Sequence, residues 1–384
     1  MSPSIFNNKI PGDSKKNRAK ILVVTGASGG HIFPALSFLD TLKGRHRDLD
    51  TLLILPRLPS TEKNLPIETV GVKVRYISIS PIKLSIDFKN FVAILRFFKA
   101  IFESIFILLS FNPDFVVGFG SIACIPIIFL AWLFRITTLI HEQNVIPGRA
   151  NRFLARFADR VAISFQESQG YFKDYKKKIV FTGNPLRKEL AKIEKNKALD
   201  FFGFGNSKFT ILVMGGSSGS HNVNLGLFKA ISMMPDRHNL QVIHLSGPGD
   251  YDLLKQSYKD SNIKVRLFSF FRDMQFAYSA SDLVVCRAGA TTTAEIIFFR
   301  LPAIIIPYPF AYEHQLANAR VLEKKGCAMI INDSELDKDT LKQTIEGLIN
   351  NPEKIKDMQA KYDLLSSLDA NNRLADSVLT LNQA

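Results

Sequence analysis

ILVVTGASGGH, Ile21 to His31, is a short β-branched run, then a turn of small residues, then the start of a helix with Pro34 near its first turn. Strand, glycine loop and helix in that order open a parallel βα unit. ILVMGGSSGSH, Ile211 to His221, repeats the stretch 190 residues later and matches it in seven of eleven positions. The repeat predicts two similar halves.

Working outward from each copy, short apolar strands alternate with amphipathic helices. In the first half the strands are Thr51 to Leu55, Phe115 to Gly118, Thr137 to Ile140, Arg160 to Ile163 and Ile179 to Phe181. In the second they are Gln241 to Leu245, Ile263 to Leu267, Leu283 to Cys286 and Ala303 to Pro307. The alternation predicts an α/β fold of two Rossmann-like, doubly wound domains facing a central cleft, with the ligand crevice outside the carboxyl ends of the strands. Residues 1–19 read as a flexible basic tail, 20–186 as the first domain and 187–351 as the second. Residues 352–384 have helical spacing without strands and are expected to pack back on the first domain.

The 384 residues suit about two domains, and 46% hydrophobic with 22% charged residues excludes disorder and fibrous structure. Three cysteines, Cys124, Cys286 and Cys327, lack metal-ligand spacing and are odd in number, against a secreted disulfide scaffold. The first nineteen residues lack the apolar core of a signal peptide. The greasiest stretch, Phe91 to Phe111, is interrupted by Arg96, Lys99 and Glu103 and does not span a bilayer. The formal charge of +14 would suit nucleic acid, but no aromatic platform alternates with the basic residues and no recognition helix or zinc finger is present, so nucleic acid is excluded as a partner.

A glycine loop between strand and helix lets backbone N–H groups and the helix dipole face an anion. Neither copy here fits the dinucleotide or Walker fingerprints, which removes the dehydrogenase and nucleotide triphosphatase readings. At CRAGATTTAE, Cys286 to Glu295, another strand ends in small residues before a helix. A carboxylate in the first turn there can accept hydrogen bonds from a diol or simply complement the dipole. HEQN, His141 to Asn144, sets four polar side chains at a strand's carboxyl end, and YPFAYEHQLAN, Tyr308 to Asn318, occupies the equivalent place in the second half. Asp-x-Asp triplets at Asp48, Asp250 and Asp337 do not close a buried strand, so no metal site is expected.

Together, GASGGHIFPA (26–35), HEQN, GNPLR (183–187), GGSSGS (215–220), FFRDM (270–274), CRAGATTTAE and EHQLANA (313–319) resemble, in order and spacing, the MurG family. That family comprises the lipid-linked N-acetylglucosaminyltransferases of peptidoglycan synthesis. The resemblance implies a glycosyltransferase-B fold and inverting transfer from UDP-N-acetylglucosamine, the donor substrate, with no cofactor required. The acceptor it implies is an undecaprenyl-diphosphate-linked muramyl-pentapeptide. It places the donor site on Ser28, Gly29, Gly30, Asn144, Arg187, Ser217, Phe271, Ala290, Thr291, Thr292, Thr293, Ala294, Glu295, and His314 or Gln315. A UDP-sugar epimerase or galactolipid synthase of the same fold, or a non-enzymatic UDP-sugar-binding membrane adaptor, are the alternatives.

An inverting displacement needs a base near the attacking hydroxyl. His31, at the mouth of the first glycine loop, has a suitable unperturbed pKa of about 6.5; Glu142 is the rival. A lipid acceptor also needs a membrane-facing surface, at the cytoplasmic face of the inner membrane. Between Lys89 and Leu109, Lys89, Arg96 and Lys99 share one side with Glu103, while Phe91, Leu95, Phe98 and Phe102 lie in a wide apolar arc. That pattern fits a core helix or one that meets an anionic membrane surface.

Overall fold

The computed structural model describes residues 18–46, 48–57, 71–80, 88–310, 313–365 and 369–381, without the side chains of 88–90. Nearly all of the expected tail therefore lies outside the described residues.

The first half runs β1 (Ala19–Val24), α1 (Gly29–Arg45), β2 (Leu49–Pro56), β3 (Lys73–Ile77), α2 (Phe88–Phe111), β4 (Phe115–Gly118), α3 (Cys124–Leu133), β5 (Thr137–Glu142), α4 (Arg149–Leu154), β6 (Arg160–Ile163) and β7 (Ile179–Phe181). The second half begins with α5 (Lys195–Phe202), β8 (Phe209–Met214), α6 (His221–Ser232), β9 (Leu240–Leu245), α7 (Tyr251–Lys259), β10 (Lys264–Phe268) and α8 (Met274–Ala280). It continues through β11 (Leu283–Cys286), α9 (Ala290–Phe299), β12 (Ala303–Ile305), α10 (His314–Lys324), β13 (Ala328–Ile330), α11 (Lys338–Ile349), α12 (Pro352–Ala360) and α13 (Ala370–Leu379).

The strands form two parallel sheets, in the orders β3-β2-β1-β4-β5-β6-β7 and β10-β9-β8-β11-β12-β13. Helices cover both faces of each, which is why the central strands read as unbroken apolar runs: Ile21, Leu22, Val23 and Val24 are all fully buried. The doubly wound α/β architecture is the one expected. Two strands escaped the reading. β3 lies at a sheet edge and alternates exposed and covered residues, KVRYI, with two cations; β13 is three residues long. Neither carries a continuous apolar signal.

The carboxy-terminal stretch does not act as one unit. In α12, Ile355 and Met358 enter the core of the second sheet. Leu374, Ala375 and Val378 of α13 instead join Ile32, Leu39 and Leu42 of α1 on the first sheet. Burying an aliphatic side chain contributes ~1.5–3 kcal/mol. The Arg45–Asp376 ion pair, 2.7 Å long with one partner 57% exposed, is worth ~0–1 kcal/mol. Apolar burial is therefore what docks α13 across the first domain.

Candidate active site

In each sheet the chain leaves two adjacent strands toward opposite faces, β1 and β4 in the first, β8 and β11 in the second. Loops diverge there and open a crevice at the carboxyl ends of the strands. Both glycine loops lie at these two switch points.

After β1, Gly26 sits against Ser121, where a Cβ would come within 2.7 Å of the serine Cβ. Ser28 ends the loop and its Oγ lies 2.7 Å from His31 Nδ1. The His31 ring rests on Gly120, whose φ of +79° and closeness to the ring both favour glycine. Burial, with His314 adding to it, pulls His31 down to about 4. The ring is thus neutral near pH 7 and able to accept a proton. The N–H groups of Gly29 and Gly30 open α1.

After β8, Gly219 has a φ of +79°, and a Cβ there would meet the Ser246 carbonyl oxygen at 2.1 Å. Only glycine lets this loop lie against the β9 turn. Ser220 closes it, its Oγ accepting two hydrogen bonds from buried Arg287 at 3.0 and 2.8 Å. Arg287 also donates to the Ile306 and Pro307 carbonyls, so it ties together the loops after β8, β11 and β12. Ser217, at the tip, is exposed.

Arg187, on the segment that leaves β7 for the second domain, holds its guanidinium 5.0 Å from the Phe33 ring and 3.7 Å from Glu295 Oε1. Tyr278 donates to Glu295 Oε2 at 2.7 Å. Burial holds the Glu295 carboxyl above the usual range, opposed by Arg187 and Tyr278. The loop after β5 docks on α10: His314 Nδ1 lies 2.8 Å from the Ile146 carbonyl, and Asn318 accepts the Val145 N–H at 3.0 Å. Gln315 Oε1 accepts from the N–H groups of Ala288 and Tyr308, leaving Nε2 without a protein partner among the described residues.

Residues 21–163 match the glycosyltransferase family 28 amino-terminal domain and residues 210–374 its carboxy-terminal domain. The chain is 36% identical to the UDP-N-acetylglucosamine–N-acetylmuramyl-(pentapeptide) pyrophosphoryl-undecaprenol N-acetylglucosamine transferase of Desulforamulus reducens. That alignment spans 361 residues, 91% of this chain and 95% of that protein. The chain belongs to the MurG family. Among solved structures, Acinetobacter baumannii MurG superposes with a TM-score of 0.74 at 25% identity over 94% of this chain and 99% of that one. A UDP-N-acetylglucosamine 2-epimerase, with a TM-score of 0.67 at 14% identity over 95% and 97%, shares the fold.

For this MurG-family chain the structure sorts the expected site residues. His31, Ser28, Gly29 and Gly30 gather at the first switch point, and Ser217 at the second. Phe271 holds its ring among Phe202 and Phe268, while its own N–H and carbonyl make no backbone hydrogen bond among the described residues. At α9, Thr291 and Thr292 are partly exposed in the first turn, and the buried Thr291 Oγ has no partner among the described residues.

One placement in α9 corrects the sequence reading. Glu295 is the sixth residue of α9, beyond its first turn, and faces Arg187 and Tyr278. Thr293 is fully buried and its hydroxyl donates back to Gly289. Ala290 packs with Val145, Phe165 and Val321 at the domain junction, and Ala294 lines a cavity with Arg187 and Asn184.

HEQN departs most from expectation. β5 extends through Glu142, so His141 and Glu142 lie within the strand, and they and Gln143 are at most 1% exposed. Glu142 Oε1 accepts from Asn144 N and Nδ2, and Oε2 from Gly148 N and Asn151 Nδ2. Both oxygens are occupied inside the protein, where Glu142 organises the loop. Asn144 is likewise held between Glu142 and Asn318. Asn318, Tyr278 and Arg287 carry no local signal of a role, because their partners are distant in sequence. No three His, Cys, Asp or Glu side chains gather to hold a metal among the described residues.

Proposed function

We infer that the chain transfers N-acetylglucosamine from UDP-N-acetylglucosamine to the 4-hydroxyl of N-acetylmuramyl-(pentapeptide)-pyrophosphoryl-undecaprenol, with inversion. The observation that carries the reading is 36% identity to a transferase of that name over 95% of its length. Neutral His31 takes the acceptor hydroxyl's proton as the sugar carbon is attacked, and the departing diphosphate leaves on the donor side. Negative charge developing there meets Arg187 and the N–H groups at the starts of α6 and α9, which supply electrostatic stabilisation. Glu295 holds Arg187 and, with Phe271 and Thr292, takes the nucleoside end of the donor.

Attachment is peripheral, at the inner face of the cytoplasmic membrane. α2 supports this reading. Small residues such as Ala93, Ala100 and Ser104 are buried, whereas Phe91, Leu95, Phe98, Phe102, Phe106 and Leu109 stay more than half exposed along one stripe. Arg96 and Lys99 beside them are exposed, and the Lys89 side chain lies outside the described residues. Phe129, Trp132 and Phe153 continue the apolar surface through α3 and α4, with Arg156 over the Phe153 ring. Glu103 turns inward to bind Ser78. No helix among the described residues is long and apolar enough to cross a membrane.

Incubation with UDP-N-acetylglucosamine and the muramyl-pentapeptide lipid should yield a β-1,4-linked disaccharide lipid. UDP-sugar binding without that product would return the chain to the epimerase or adaptor readings.

A further inference from the structure

The His31 ring is partly exposed, and its two nitrogens have different surroundings. Nδ1 lies 2.7 Å from the Ser28 Oγ. Nε2 has no protein partner among the described residues; it rests beside Gly120 in the loop after β4, 3.1 Å from where a Cβ would stand. Glycine clears the ring at its other edge too, since a Cβ at Gly26 would come within 3.3 Å of Nδ1.

Ser28 is the N-cap of α1, with extended backbone, yet its side chain makes no capping hydrogen bond. A serine at that position ordinarily accepts the N–H of the second or third helical residue. Here the hydroxyl is turned away from the helix end to the imidazole three residues on. A hydroxyl both donates and accepts, so the contact by itself fits either neutral tautomer of the ring. The other nitrogen decides between them. If Oγ–H donated to Nδ1, the ring proton would sit on Nε2, which has no acceptor in the protein, and neither nitrogen would keep a lone pair for a substrate. If Nδ1–H donates to Oγ, the ring's donor is satisfied and Nε2 carries a free lone pair.

We propose that Ser28 is a positioning residue of the transfer: its Oγ holds His31 as the Nδ1–H tautomer, which makes Nε2 the atom that takes the acceptor's proton. This rests on the transferase reading and gives Ser28 a role other than the donor contact that the resemblance implies. In the step, the acceptor hydroxyl oxygen bonds to the sugar carbon while that carbon's bond to the diphosphate oxygen breaks, the electron pair leaving with UDP. The hydroxyl proton passes to Nε2. The imidazolium so formed donates from Nδ1 to Ser28, a hydrogen bond that strengthens with the charge.

The full chain carrying ¹⁵N-histidine, at about pH 8 where the ring is neutral, reports the tautomer by long-range ¹H–¹⁵N correlation, and His31→Gln identifies the signals. The parent should show a protonated Nδ1 and a pyridine-type Nε2. Ser28→Ala should move the ring toward Nε2–H, the form a free imidazole side chain favours. It should also lower kcat at least about tenfold, the equivalent of one net hydrogen bond, with the KM for UDP-N-acetylglucosamine unchanged. Ser28→Thr, which keeps the hydroxyl, should keep both the tautomer and the rate. Nε2–H in the parent, an unmoved tautomer in Ser28→Ala, or a raised donor KM at unchanged kcat overturns the proposal. Should Ser28→Ala misfold, as loss of UDP binding would show, the parent's tautomer and Ser28→Thr decide. A parent with the expected tautomer that forms no disaccharide lipid fails the transferase reading alone.

Discussion

Asn318 of the second domain donates its Nδ2 to Asn144 Oδ1 of the first at 3.1 Å, and to the Ala288 carbonyl at the same distance, while its Oδ1 accepts the Val145 N–H. One buried carboxamide thus joins the loop after β5 to the loop after β11. Asn318→Ala leaves the Val145 N–H buried without a partner and should cost ~1–3 kcal/mol of stability. Denaturant unfolding measures it; a loss below a few tenths would show that water replaces the bridge.

His31→Ala should lower turnover about 100-fold to 10,000-fold while leaving UDP binding nearly intact. Since burial takes His31 to about 4, the acid limb of kcat/KM should lie well below pH ~6.5. Retained rate in the variant would place the base elsewhere.

Glu142→Gln should fail in folding rather than in proton transfer. The new amide would point donors at N–H groups of Asn144, Gly148 or Asn151, so a stability loss of ~1–3 kcal/mol is expected. Unchanged stability with an altered pH–rate profile would restore Glu142 to the chemistry.

Acid should destabilise the fold through its buried histidines. Burial brings His141 to about 4 and His244 to about 3, below the ~6.5 of an unfolded chain. The unfolded chain therefore binds more protons in this window. Stability is complete above pH ~6.5 and declines as pH falls, by up to ~1.4 kcal/mol per unit for each histidine. Glu142 and Glu295, held high by burial, act with the opposite sign. Unfolding measured at about pH 5 and about pH 8 should show a smaller difference in His244→Gln than in the parent; equal slopes would remove His244 from this account.

The membrane-facing helix is tested by vesicle flotation. Phe98→Asp with Phe102→Asp should abolish binding to anionic vesicles while UDP binding persists. Each basic residue near such a surface adds about 1 kcal/mol, a contribution that salt weakens, so neutral vesicles should bind less. Equal flotation of parent and double variant would locate attachment outside α2.

By itself the sequence determined the two parallel sheets and the twin glycine loops at the carboxyl ends of their strands. Those depend on local signals: apolar runs of strand length, small residues where the backbone turns, and a helix start directly after. HEQN shows the limit. Four polar residues at a strand end looked the same whether they faced a ligand or one another, and only packing revealed that Glu142 spends both oxygens on its own loop. Glu295 pairs with Arg187 across 108 residues of chain, Asn318 with Asn144 across 174. α2 turns Ala93, Ala100, Ser104, Ile107, Leu108 and Phe111 to the core and leaves Phe91, Phe98, Phe102 and Phe106 more than half exposed, a division that its wide apolar arc does not fix. Partners that distant carry no periodicity, so tertiary contact alone decided which polar groups are satisfied internally and which are left for a substrate.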